Sequence, residues 1–375
     1  MAFSDDLPKI GLYIHLPWCE KKCPYCDFNV TTSNHGADVK ELIDSILSDI
    51  DRSQQLIQGR LFSSVYIGGG TPSILSVKYI DKILVYLKKN NLIEQDIEIS
   101  IEINPSDLTL SYLNELESTM VNRVSVGIQS FSDKELEALG RNHDGQKSHA
   151  AIEILTHSKM KKSIDLIYGS PCQTLESLEE NLKIFFESNI AHLSLYQLTI
   201  EPNTVFFKKM PRLPNEDLIH DMELLAEARL NEKLFFQYEV SSWSRDNICS
   251  DHNMNYWTFG DFLGVGPGAH SKIYMNNIHV RFKKRNRVKA YIENPKPINF
   301  DLLENVKLDH DLAMNIFRLK DGIKQRTLSL NQINTSDRFN EKYTLGVNMG
   351  LLKDEKFCTS KTGFRYLNDV IHLFG

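Results

Sequence analysis

IGLYIHLPWCEKKCPYCDFNV, residues 10–30, sets a seven-residue, mostly apolar run directly before three cysteines. The run Ile10–Leu16 has the β-branched, aromatic and leucine content of a strand. The cysteines follow as Cys19-x3-Cys23-x2-Cys26. A strand that ends in a loop of ligating side chains is how parallel α/β folds present chemistry, because their sites lie at the carboxyl ends of the strands.

The same unit recurs outward from this stretch. "SSVYIGGG" (63–70), "IEISIEINP" (97–105), "NRVSVGIQS" (122–130), "SIDLIYGSP" (163–171) and "HLSLYQLTI" (192–200) read as further strands. Amphipathic stretches predict helices after them, at Val39–Leu56, Val77–Lys89, Leu110–Ser118, Lys134–Leu139, His149–Met160, Leu175–Ser188 and Asp217–Lys233. The alternation predicts a parallel sheet. Six units are fewer than the eight of a closed barrel, so the expected fold is α/β, an open partial (β/α)6 barrel of TIM type. Polar residues fall near the carboxyl ends of the strands: Gly68–Thr71, Glu102, Gln129, Asp165 and Gln197.

Beyond Phe236 the pattern changes. "FFQYEVSSW" and "FLGVGPGAH" predict strands, and "SKIYMNNIHVRF" a hairpin turning at Asn276-Asn277. "ENPKPINF" (293–300) reads as a connector. The expected divisions are a barrel over 1–235, an extension over 236–300 and a small domain over 301–375, with helices around a short hairpin in the manner of a winged helix.

Composition narrows the function. Of 375 residues, 41% are hydrophobic, as in ordinary globular proteins, and the net charge is −6, with no basic excess to suit a nucleic-acid partner. No run of 18 apolar residues occurs, and "MAFSDDLPKI" has neither the basic nor the apolar segment of a signal peptide. The expectation is a cytoplasmic protein without disulfides, in which crowded thiols mean a metal or redox site.

Three thiolates at this spacing can hold three corners of an iron–sulfur cubane and leave one iron open. The alternative is zinc, with His15, His35 or a distant cysteine as fourth ligand. "CEKKCPYC" resembles the CxxxCxxC signature of the radical S-adenosylmethionine (SAM) superfamily. That resemblance implies a [4Fe–4S] cluster on Cys19, Cys23 and Cys26. The open iron would chelate SAM, and an electron from the cluster would cleave it to a 5′-deoxyadenosyl radical. "YIHLPWCEKKCPYCDF", "YIGGGTPS", "SIEINP", "RVSVGIQSF", "LGRNHD" and "IDLIYGSP" resemble, in order, the oxygen-independent coproporphyrinogen III oxidase family.

Each remaining motif carries two readings. Gly69, Gly70 and Thr71 can bring backbone close to a ligand, or make a plain βα turn. Glu102 can accept bonds from two ribose hydroxyls, or serve as a surface charge or ion-pair member. Arg141 can clamp a carboxylate, or cap a helix end. Asp165 can face the ligand, or pair with a buried cation. The resemblance implies SAM contact for Gly69, Gly70, Thr71 and Glu102, and a SAM site lined by Tyr13, Tyr25, Gln129, Arg141 and Asp165.

Two departures select within the family. The oxidases continue their signature to CxxxCxxCxC, whereas Phe28 stands here. They also carry a longer arm before the residue matching Tyr13. Both points, with His252-Asn253-x-x-Tyr256-Trp257, resemble the HNxxYW-bearing HemW-type heme chaperones. The implied function is binding heme and delivering it to acceptor proteins, respiratory ones among them, with a protein reductant feeding the cluster. The alternative is oxidative decarboxylation of coproporphyrinogen III. Imidazole suits heme iron and aromatic rings suit a macrocycle, but a histidine near a helix start also serves as an ordinary hydrogen-bonding residue. The glycines of "FLGVGPGAHS" read as structural turns, and Cys172, Cys249 and Cys358 as isolated thiols. "RFKKRNRVK" (281–289) reads as a solvated face, or as a dock for heme propionates or an anionic membrane surface.

Overall fold

The computed structural model describes residues 7–32 and 39–375. Six strands run parallel and in order: β1 (Ile10–Leu16), β2 (Phe62–Gly69), β3 (Ile93–Ile103), β4 (Arg123–Gln129), β5 (Lys161–Tyr168) and β6 (His192–Gln197). Their period-two pattern explains the layering. Val65, Ile67, Ile99, Ile101, Val124, Val126, Ile164, Leu166 and Leu193 are buried in the main core with the helices. The alternate residues are polar and bond to one another across neighbouring strands, as in Tyr66 to Glu102, Arg123 to Glu98, Ser125 to Asp165 and Ser163 to His192. The barrel therefore has an apolar jacket and a polar lumen.

The barrel is open. β6 pairs antiparallel with β8 (Ser242–Ser244), which folds back on β7 (Phe236–Gln237). The predicted strand 235–243 is thus two short strands. On the other side β1 pairs in parallel with β9 (Asp261–Val265), and the sheet continues through β10 (His270–Met275), β11 (Ile278–Lys283) and β12 (Ile298–Leu303). Asn276 and Asn277 take φ of 52° and 65°, so the predicted hairpin turns where expected. "FLGVGPGAH" is a strand only to Val265, because Gly266 at φ 103° turns the chain. The second half of "ENPKPINF" enters edge strand β12.

Helix ends also differ from expectation. The first helix stops at Arg52, before turns that end in Gln58 and Gly59 at positive φ. Asp144 starts the helix Gly145–Thr156 four residues before the predicted His149, accepting from the Lys147 backbone N–H at 2.9 Å.

A second core gathers Leu312, Ile316, Phe317, Leu328, Phe339, Leu352, Val370 and Phe374. Five helices between Val306 and His372 surround it, with a hairpin reduced to the bridge Leu352–Thr359. The arrangement is like that of a winged helix. No helix among the described residues is long and apolar enough to cross a membrane.

Candidate functional site: a cysteine cavity at the strand ends

The cysteine loop is fastened to the ends of β1 and β2. Gly70 N–H donates to Leu16 O at 2.8 Å, Thr71 N–H to Trp18 O at 2.6 Å and Cys19 N–H to Thr31 O at 3.1 Å. A Cβ on Gly70 would lie 2.4 Å from Trp18 O, so this close approach requires glycine.

A cavity of about 420 Å³ opens beside the loop. Cys19, Cys23 and Cys26 line it, together with Tyr25, Gly69, Gly70, Thr71, Glu102, Gln129, Arg141 and Asp165. The fold thus gathers residues from β1 to β5 and their loops at one strand-end pocket. Tyr13 is the exception. Its hydroxyl bonds His15 Nδ1 at 2.9 Å, below the loop. His15 Nε2 in turn bonds Asn29 O at 2.8 Å, so both ring nitrogens have partners. His35 lies outside the described residues.

Burial pushes the Cys19 and Cys26 thiols up, and Thr71 Oγ1, donating to Cys19 Sγ at 3.3 Å, opposes this at Cys19. Arg141 brings a half-buried guanidinium 3.7 Å from Cys23 Sγ and 3.4 Å from the Tyr25 hydroxyl, and donates to Gly127 O at 3.0 Å. Its Nε is buried without a partner. Glu102 accepts from the Tyr66 hydroxyl at 2.8 Å and from Gly69 N–H at 3.2 Å. Burial, then the nearby Asp165, raise its carboxyl to about 7, and burial raises Asp165 to about 6.

This donor set fits an iron–sulfur cluster with SAM beside it. The thiols are soft ligands lining one pocket, and the orphaned Arg141 Nε and the Glu102 carboxyl, which line the same pocket, offer a donor and an acceptor. Among the described residues, no three His, Cys, Asp or Glu side chains are arranged to hold one metal ion.

The HNxxYW residues are elsewhere. They form the helix Asp251–Trp257, which packs at the amino-terminal end of the barrel strands. His252 is 1% exposed, its Nδ1 lies 2.8 Å from Ser64 Oγ, and its Nε2 is buried without a partner. Burial lowers its pKa to about 3, so the ring is neutral. Asn253 is half-buried, its N–H capped by Ser250 Oγ. Tyr256 packs edge-on against Phe262 at 4.4 Å, and Trp257 lies under the Arg318 guanidinium at 4.4 Å. None of the four lines the cysteine cavity.

The cationic run 281–289 is not a uniformly solvated face. Lys284 is fully buried on Asp49 at 2.6 Å, and Arg281 makes a two-pronged bond to Asp311. Of the isolated cysteines, Cys172 is exposed and Cys358 buried, while Cys249 Sγ meets Ser244 Oγ at 3.6 Å.

Sequence reasoning missed Glu98, Tyr66 and Asn29. Glu98 binds Arg123, Lys161 and Ser250, tying the helix Asp251–Trp257 to β3. Asn29 Nδ2 donates to Pro267 O and Asn286 O, fastening the cysteine loop to the β9–β10 turn and to the segment after β11. For Glu98 and Tyr66 the signal was present: Ser64, Tyr66 and Gly68, and Glu98, Ser100 and Glu102, recur at period two on the face away from the apolar jacket.

The radical SAM superfamily profile matches residues 13–185. The chain is 36% identical over 374 residues to the heme chaperone HemW of Buchnera aphidicola subsp. Acyrthosiphon pisum, covering 98% of this chain and 99% of the relative. It is 34% identical to that of Haemophilus influenzae, covering 98% of each. To that of Escherichia coli it is 35% identical, covering 84% of this chain and 83% of the relative. The fold matches the coproporphyrinogen III oxidase HemN from Escherichia coli, a radical SAM enzyme, at a TM-score of 0.81 and 22% identity over 98% of this chain and 90% of that one. With this agreement along nearly its whole length, and the three cysteines set at the strand ends of an open barrel, the chain belongs to the HemW family of the radical SAM superfamily.

Proposed function

We propose that this protein is a cytoplasmic heme chaperone, which binds heme and hands it to acceptor proteins. Cys19, Cys23 and Cys26 would hold a [4Fe–4S] cluster, and the cavity beside them would hold SAM. The observation that carries the reading is the near full-length likeness to proteins named heme chaperones, in a chain with Phe28 two places after Cys26. Phe28 lines the cavity and is 57% exposed, so an apolar ring stands at the rim. The likeness to HemN is one of fold, and a shared fold does not transfer an activity.

Within this reading each group has a task. The three thiolates hold the cluster. Thr71 and Arg141, both within reach of the sulfurs, stabilise their charge. Gly69 and Gly70 line the ligand's side of the cavity, Glu102 accepts from its hydroxyls, and Arg141 takes its carboxylate. When bound, the cluster and SAM supply one-electron chemistry. Heme ligation by His252 would fall to its unpartnered Nε2 and would require the buried ring to be uncovered. The test is anaerobic purification with iron, sulfide and heme quantification. The reading predicts four irons per chain and saturable heme binding. Zinc without iron, or no heme uptake, would refute it.

A further inference from the structure

His252 stands at one end of a stack whose middle member, Tyr66, reaches the cavity through Glu102. Its ring lies on Tyr66 at 5.1 Å between centroids and 24° between planes. Tyr66 is also stacked with Tyr13, at 6.3 Å between centroids and 27° between planes. The Tyr66 hydroxyl donates to Glu102 Oε1 at 2.8 Å, and Glu102 lines the cavity. His252 itself is braced from below. Ser64 Oγ meets its Nδ1, Tyr256 meets its ring edge-on at 4.8 Å, and its backbone N–H donates to buried Glu98 at 3.4 Å. Glycines leave room along the path: a Cβ on Gly11 would stand 3.1 Å from the imidazole, and one on Gly68 3.0 Å from the Glu102 carboxyl.

A buried carboxylate can bond a ribose only if its remaining lone pairs are aimed by fixed neighbours. Tyr66 supplies that aim, and a phenol ring keeps its place only while its stacking neighbours hold it. We infer that His252 is a positioning residue of the SAM site: by stacking on Tyr66 it fixes the phenol that orients Glu102. The HNxxYW helix thereby reaches the SAM site from the opposite end of the barrel. The imidazole contributes its flat ring, and its bond to Ser64 only sets the ring's angle.

The inference rests on the reading that SAM occupies the cysteine cavity, so SAM binding to the anaerobically reconstituted wild-type holoprotein is measured first, by equilibrium dialysis. No binding there would remove both claims. With binding established, Tyr66→Phe and His252→Ala should each weaken SAM by about tenfold, the scale of one lost oriented hydrogen bond. The double variant should be no weaker than either one, because both act through one contact. Iron content and cluster absorbance should stay at wild-type levels. His252→Phe keeps the stacked ring and should bind SAM within about twofold of wild type, while His252→Gln keeps the Ser64 bond, loses the ring and should resemble His252→Ala. These two variants preserve the volume better than alanine and decide the matter if His252→Ala does not fold. Wild-type affinity in His252→Gln, or additive losses in the double variant, would overturn the inference.

Discussion

Glu102 sits in the lumen with Asp165 nearby, and burial raises both carboxyls, to about 7 and about 6. A carboxyl whose folded pKa lies above its ordinary value holds its proton more tightly in the folded chain. The associated stability is complete below the ordinary values near 4 and is lost as pH rises through 6 and then 7. The SAM-free protein should therefore melt at lower temperature at pH 8 than at pH 5, and Glu102→Gln should flatten the slope. SAM carries a sulfonium cation and ribose donors, which favour the ionised carboxylate. Its affinity should rise over the same window, by less in Glu102→Gln; a pH-independent affinity in the wild type would contradict this. Arg141 tests the other half of the site. Its guanidinium is near Cys23 Sγ, so Arg141→Ala should weaken SAM binding and also make the cluster harder to reduce. Redox titration followed by electron paramagnetic resonance reads the shift, and an unchanged potential would show that the cation does not act on the cluster.

At the scale of elements, the six parallel strands were legible because each couples a β-branched outer face to a polar residue at its carboxyl end. The cysteine loop, glycine turn and Glu102 were legible for the same reason. Period two alone does not say which face is inward, and in an open barrel the lumen is the polar side. Glu98 and Tyr66 were missed on that account, although their strands carried the pattern. The burial of His252 was hidden differently: its seat is built by Gly11 and Ser64, more than 180 residues away, which no local pattern reveals. The cationic stretch 281–289 misled because charge suggests solvent, yet β11 and its flanks alternate sides, sending Lys284 inward to Asp49. Asp49 also takes the Tyr291 hydroxyl at 2.7 Å, and that hydroxyl accepts from Gly266 N–H, in the turn beside the cysteine loop. Lys284→Ala leaves Asp49 buried without its cation and should cost about 3–5 kcal/mol in denaturant unfolding. A loss below about 1 kcal/mol would show that water reaches this pair.

For the whole molecule, the cysteine cavity and the HNxxYW helix stand at opposite ends of one polar lumen, joined by the Tyr66–His252 stack. Ligands at two ends that both act on one contact are coupled, and the coupling is reciprocal. If heme draws His252 out to its iron, Tyr66 loses its seat, so heme and SAM should weaken one another to the same degree. On the proposed reading this chain carries heme and does not make its precursor. The most direct measurement gives the reconstituted protein SAM, a low-potential reductant and coproporphyrinogen III under anaerobic conditions, with a heme titration on the same preparation. A heme chaperone should show saturable heme binding and no vinyl product. Conversion to protoporphyrinogen, or a preparation with an intact cluster that binds no heme, would contradict that reading.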